Sequence, residues 1–213
     1  MAYLINTARY NDEVANVVNT NNNKIKAAIS DFNAQLNILG NGETWIGGSA
    51  VENINNLVQC YNTYKDSYSE FIRKLGESCN AIFNEINSII SSNNGVQLSF
   101  DNLHALSFET PNIKDLSFAG GEAGQADTII SCSNNFTQYA ADIKNAYMNI
   151  KTAFEKIGSG SQIIDTSDLS SDPATQLKLR VSEIIDSLVQ VDENQFKTVI
   201  ENLNIAANNI KRG

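Results

Sequence analysis

Gly40-Asn41-Gly42-Glu43-Thr44-Trp45-Ile46-Gly47-Gly48-Ser49 decides how the chain is read, because it holds the only tryptophan inside a glycine-rich break. Apolar-periodic stretches run up to it and away from it, so it reads as the tip of a helical hairpin. Gly40 and Gly42 are expected to stop the first helix by taking the positive φ that a C-cap needs. Ser49 and Glu52 have Ser-x-x-Glu spacing, which predicts a capping box at the start of the second. Trp45 sits between stop and start, where a large ring can cover the open end of a two-helix groove.

Outward from the tip, the first helix is expected over residues 7–39. Its stripe is Tyr10, Val14, Val17 or Val18, Ile25, Ile29, Phe32, Leu36 and Leu39, with polar Asn21 in one slot. Steps of three and four place these residues on one face. The second helix is expected over residues 50–90, with Ala50, Ile54, Leu57, Tyr61, Tyr64, Tyr68, Phe71, Leu75, Cys79, Ile82, Ile86 and Ile89 on a heptad. Such a helix is roughly 60 Å long, and a narrow stripe of that length demands coiled-coil-like partners. Asn93-Asn94-Gly95 closes this hairpin. Residues 96–121, with Pro111, His104 and three Leu-Ser-Phe triplets, read as an extended connector too apolar to be a free linker.

A third helix is expected over residues 122–157 on Ile129, Phe136, Ala140, Ile143, Tyr147, Ile150, Phe154 and Ile157. A second glycine break follows at Gly158 and Gly160. Asp172-Pro173 then marks a helix start, an N-cap acid followed by proline at the first helical position. The fourth helix runs to about residue 210, and a stripe slip at Asp192-Glu193-Asn194-Gln195 predicts a kink or a fresh cap.

Shifting the first hairpin by 118 residues lays Ile25, Ile29, Phe32, Leu36 and Leu39 on Ile143, Tyr147, Ile150, Phe154 and Ile157. The same shift lays Gly40 and Gly42 on Gly158 and Gly160, and Trp45-Ile46-Gly47 on Ile163-Ile164-Asp165. The expected fold is therefore all-α, without strands in either half. It comprises a hairpin over 1–95, a connector over 96–121 and a second, degenerate hairpin over 122–213. Packed as an antiparallel four-helix bundle, the hairpins bury each other's stripes. The connector, spanning up to ~90 Å when extended, then crosses from end to end with its triplets along an interhelical groove.

Composition narrows the chemistry. A net charge of −9 at pH 7 disfavours nucleic acid and anionic membrane surfaces. No run approaches the ~18 apolar residues of a membrane span. The start lacks the basic and apolar regions of a cleaved secretory signal. Cys60, Cys79 and Cys132 are scattered and odd in number, suggesting neither disulfides nor zinc. A single histidine, His104, leaves no familiar catalytic triad and no bundle metal site. Gly120-Gly121-Glu122-Ala123-Gly124 lacks a preceding strand and a following Gly-Lys-Ser/Thr, so it is not read as a phosphate loop. Neither catalytic, cofactor nor metal residues are assigned. Asp66, Glu70, Glu77 and Glu85 read as a solvated face, and Tyr61, Tyr64 and Tyr68 as core seam.

Trp45-Ile46-Gly47 between two long helices resembles the WXG family, helical-hairpin proteins exported by type VII (ESX-type) secretion systems of Gram-positive bacteria and mycobacteria. Residues 7–92 carry the resemblance; residues 122–210 match only as a hairpin, with Ile163-Ile164-Asp165 where Trp-x-Gly would stand. Family members commonly form antiparallel dimers, so the chain resembles such a dimer fused into one polypeptide, acting as a monomer that mimics it or as a homodimer. The resemblance implies a non-enzymatic interaction protein, cytoplasmic before export and then secreted without a cleaved signal. Its implied partners are the secretion machinery or a co-secreted protein. None of the seven tyrosines is followed four residues later by an acid, so the family's Tyr-x-x-x-Asp/Glu export motif is missing. The alternative is an intracellular structural or adaptor bundle; a membrane-active toxin lacks an apolar hairpin able to insert.

Overall fold

The computed structural model of the chain describes residues 4–91 and 107–212. Within them the protein is an all-α helical bundle; most of the expected stripe is buried, and the exceptions include Tyr64 and Ile82 of the second helix and Ile200 of the fourth, which are only half-buried. Helix α1, Thr7–Tyr10, opens where the Asn6 side chain accepts the Arg9 N–H at 3.1 Å. A π-helical turn, Asn11–Ala15, leads into α2, Asn16–Leu39. The wider turn adds one residue, so the stripe advances from Tyr10 and Val14 to Val18, which is buried while Val17 is half-buried. That is the cause of the Val17/Val18 ambiguity in the sequence.

Helix α3, Ala50–Ser91, carries the long seam. Its last turns depart from the expected heptad: Phe83 is buried and Ile82 only half-buried. The Phe83 ring meets Tyr10 edge-on, with centroids 5.9 Å apart. Helix α4 spans Ala126–Glu155, four residues short of the expected start, because Glu122–Gly124 is extended. The expected fourth helix is two. Helix α5, Pro173–Asp186, starts at Asp172, whose side chain accepts the Thr175 N–H at 3.5 Å. Helix α6, Glu193–Arg212, restarts at Asp192, whose Oδ1 accepts the N–H groups of Asn194 and Gln195 at 2.9 and 3.1 Å. The Gln195 amide bonds Asn56 instead of closing a capping box.

The expectation of no strands needs correction. β1, Leu4–Ile5, pairs antiparallel with β4, Ile164–Asp165, and β2, Trp45–Gly47, pairs antiparallel with β3, Glu122–Gly124. These ribbons are too short to form a layer, but they fix the topology. The start of each hairpin pairs with the tip of the other, as antiparallel hairpins require. Ile46 lies 41 residues after Ile5, and Ile164 lies 41 residues after Ala123, so both hairpins have the same start-to-tip spacing.

The chain forms two compact units that do not follow the hairpins. The first comprises Met1–Ile25, Tyr68–Leu106 and Lys144–Leu188, and the second Lys26–Ser67, Ser107–Ile143 and Val189–Gly213. In the second unit Phe32 is the hub: its ring lies 4.6 Å from Phe136 of α4, 5.7 Å from Tyr64 of α3 and 6.5 Å from Phe196 of α6. All four helices thus meet around one fully buried ring. In the first unit, Phe71 meets Tyr147 edge-on at 5.1 Å, and the Lys151 ammonium bonds Asp186 at 2.7 Å, linking α3 to α4 and α4 to α5.

Candidate functional site

The Trp45 tip is built from three directions within the second unit. Its ring is completely buried, and its Nε1 has no hydrogen-bond partner among the described residues. Asn41 Oδ1 accepts the N–H groups of Glu43 and Thr44, both at 2.8 Å, and turns the chain out of α2. Gly42 holds φ +84°, as a C-cap glycine should. Gly40 does not adopt positive φ; its missing side chain makes room for Ile113.

Gly47 is required twice over. Its φ is +73°, and a Cβ there would overlap the Gly121 carbonyl oxygen. On the opposite strand a Cβ at Gly124 would overlap the Thr44 carbonyl. Glycines on both strands let the two backbones approach beside the Trp45 ring.

The expected Ser49–Glu52 capping box does not form. Glu52 is exposed, and Glu122 of β3 takes the carboxylate role: its Oε1 accepts the Ser49 N–H at 3.2 Å and the Ser49 hydroxyl at 2.7 Å. The acid that secures the start of α3 therefore comes from 73 residues away. The Gly120–Gly124 stretch is thereby explained as ribbon geometry.

The visible part of the connector is an extended strap. The Glu109 carbonyl accepts the Tyr61 hydroxyl at 2.6 Å and the Asn33 amide at 3.3 Å. Asn112 donates its N–H to Asn37 at 2.7 Å, Lys114 to Gly40 at 2.8 Å, and Gly47 donates to Leu116 at 2.7 Å. The strap thus tracks α2 toward the tip and flanks β2 on the side away from β3. Of the Leu-Ser-Phe triplets, Leu116 is buried, Phe108 is half-buried and Phe118 is 45% exposed. The triplet at 98–100, Leu106, His104 and the Asn93-Asn94-Gly95 turn lie outside the described residues.

The second tip lies in the first unit and is built differently. Gly158 and Gly160 hold φ +107° and +78°, and Ile163 and Ile164 are buried. Asn6 donates its N–H to the Ile163 carbonyl at 2.7 Å, as Gln125 donates to Thr44 at 2.9 Å. This hydrogen-bond phase equates Thr44 with Ile163 and Trp45 with Ile164, correcting the sequence alignment by one residue. The second tip has one extra residue, and the π-helical turn gives the first hairpin one too, which keeps their spacing equal. Glu85 of α3 accepts the Ser171 hydroxyl just before α5, but among the described residues no carboxylate from the other hairpin accepts the N–H groups that open α5. Thr166 does so locally: its Oγ1 accepts the Ala174 N–H at 2.9 Å and donates to Asp172 at 2.8 Å. Asp165 ties the loop by accepting from Ser167 Oγ, Ser167 N–H and Gly160 N–H, and these bonds hold its carboxyl below the usual range.

Tyr61 and Tyr68 are fully buried in the seam. The acidic face of α3 is exposed and salt-bridged, with Arg73 reaching Glu70 and Glu77 and holding the Glu70 carboxyl down at about 2. A surface groove of about 390 Å³ between α3 and α5 includes Arg73 and Arg180, both engaged with glutamates. Burial pushes the thiols of Cys60 and Cys132 up to about 11 and that of Cys79 higher still, the reverse of nucleophile activation. No cluster of His, Cys, Asp and Glu suited to a metal occurs among the described residues, and none of their helices is long and apolar enough to cross a membrane. Glu122, Gly121, Gly124 and Leu116 are the tip residues that sequence reasoning missed; the only signal was the unexplained glycine cluster before α4. Comparison with protein-family models, curated proteins and solved structures returns no match.

Proposed function

We propose that the chain is a non-catalytic interaction protein of the WXG type, related in role to type VII secretion substrates or their chaperone-like partners. The observation that carries this reading is the Trp45-Ile46-Gly47 tip. Its tryptophan anchors a helix–turn–helix junction, and its glycine sits where a side chain would overlap the Gly121 carbonyl. The reciprocal strand pairing supports the fused-dimer reading, since each hairpin completes the other's tip. The test is proteomics of the culture supernatant of the source bacterium with and without its type VII secretion ATPase. ATPase-dependent appearance of the full chain is expected, and retention in both strains refutes export.

The second reading is a structural or adaptor bundle that stays inside the cell. Its specific support is the complete burial of Trp45, which leaves the ring for folding instead of for a partner, together with the missing acid after every tyrosine. Retention in both strains is the outcome it predicts.

A further inference from the structure

Within the first unit, one level of the seam is polar. Asn21 and Asn22 of α2 are 4% and 2% exposed, in a helix whose neighbouring seam residues Val18 and Ile25 are fully buried and apolar. The Tyr68 hydroxyl of α3 donates to Asn22 Oδ1 at 2.7 Å. The Asn149 amide of α4 donates to Asn21 Oδ1 at 3.1 Å, while the Asn21 amide returns to the Val17 carbonyl at 2.8 Å. Three helices are therefore joined at a single height by neutral hydrogen bonds. We propose that this layer is a register lock that selects one alignment of α2 against α3 and α4 over slipped alignments, within a chain or with a second copy.

The seams on either side cannot make that choice. Their residues are interchangeable aliphatic and aromatic side chains at heptad spacing, and a slide by one heptad again places apolar on apolar. A slide by one heptad one way would set the Asn22 amide against Leu75 and the Tyr68 hydroxyl against Ile29; the other way Asn22 would face Tyr61 and the Tyr68 hydroxyl would face Ala15. A buried polar group left unpaired lowers an equilibrium constant by about 5- to 150-fold. Replacing both partners of a pair by apolar groups of similar shape is nearly neutral. The layer thus contributes little to stability in the native alignment, and a heptad slide in either direction leaves the Tyr68 hydroxyl facing an apolar residue.

The test compares the paired variants Asn22→Leu with Tyr68→Phe, and Asn21→Leu with Asn149→Leu, against the native chain. Readouts are thermal midpoint, sedimentation mass and the number of backbone amide signals per residue. The expected result is an unchanged or raised midpoint with duplicated amide signals or a mixture of masses. A single signal set and a single mass in both paired variants, at any midpoint, overturn the proposal. Tyr68→Phe alone guards against misreading: Asn22 then lacks its donor, so the folding constant is expected to fall about 5- to 150-fold while one signal set remains.

Discussion

The two tips solve the same problem with different parts. Each must end one helix, start another and accept a strand from the opposite hairpin. The Trp45 tip does this with help from afar: a buried indole, two glycines in contact with the other strand's backbone, the Glu122 carboxylate and the strap. The Gly158–Asp165 tip draws on its sequence neighbours, with Glu85 of α3 accepting the Ser171 hydroxyl from outside. Ile164 fills the place of the indole, Thr166 and Asp172 secure the following helix, and Asp165 ties its own loop. Degeneracy in the second motif therefore does not mean loss of the turn. It means that a dense, shape-specific junction has been exchanged for a polar loop that tolerates change, and this contrast can be broken experimentally.

The largest effect is expected from removing the anchors. Trp45→Ala should lose about 3–5 kcal/mol of stability in chemical denaturation, and Ile164→Ala about 2–4 kcal/mol, as cavities of different size are opened. Equal losses would show that the two anchors are interchangeable after all. Next come the glycines. Gly47→Ala meets both a left-handed backbone and the Gly121 carbonyl, so a loss of about 2–5 kcal/mol is expected. Gly160→Ala meets the same backbone requirement at φ +78° but has nothing within 4 Å, so about 1–2 kcal/mol should be lost. Similar values for the two would remove the close strand approach from the explanation of Gly47.

Glu122→Ala should cost about 1–3 kcal/mol and release the start of α3, seen as faster amide exchange at Ser49. Glu122→Gln, which keeps an acceptor oxygen, should lose less than half of that. The smallest effect concerns the second tip. Asp165 is depressed chiefly by the Ser167 hydroxyl, with the Ser167 and Gly160 N–H groups assisting. A carboxyl whose folded pKa lies below its unfolded value stabilises above the unfolded value and loses that contribution as the pH falls through the folded one. Amide exchange at Gly160 and Ser167, corrected for intrinsic rates, should therefore accelerate as the pH drops from 5 toward 2.5, and Asp165→Asn should abolish the dependence.

Much of the helical scaffold was legible because it rests on long periodic stripes and local caps. Asp172-Pro173 and the restart at Asp192 are cases in which the residues that bond are neighbours in sequence. What escaped was non-local or brief. Ribbons of two or three residues have no period to detect. Ser49-x-x-Glu52 had the right spacing, yet Glu122 reached the Ser49 N–H first, and no local pattern encodes a partner so distant. The π-helical turn shows in the sequence only as a choice between Val17 and Val18. Phe83 rather than Ile82 turns inward and meets the Tyr10 ring edge-on, a tertiary contact that no heptad pattern encodes.

The architecture rests on reciprocal pairing, the start of each hairpin lying on the tip of the other. Inter-strand nuclear Overhauser contacts in the intact chain test this most directly. Contacts between Trp45 and Gly124 and between Ile5 and Ile164 are predicted together. Contacts from Trp45 or Ile164 only to residues of their own hairpin would contradict it.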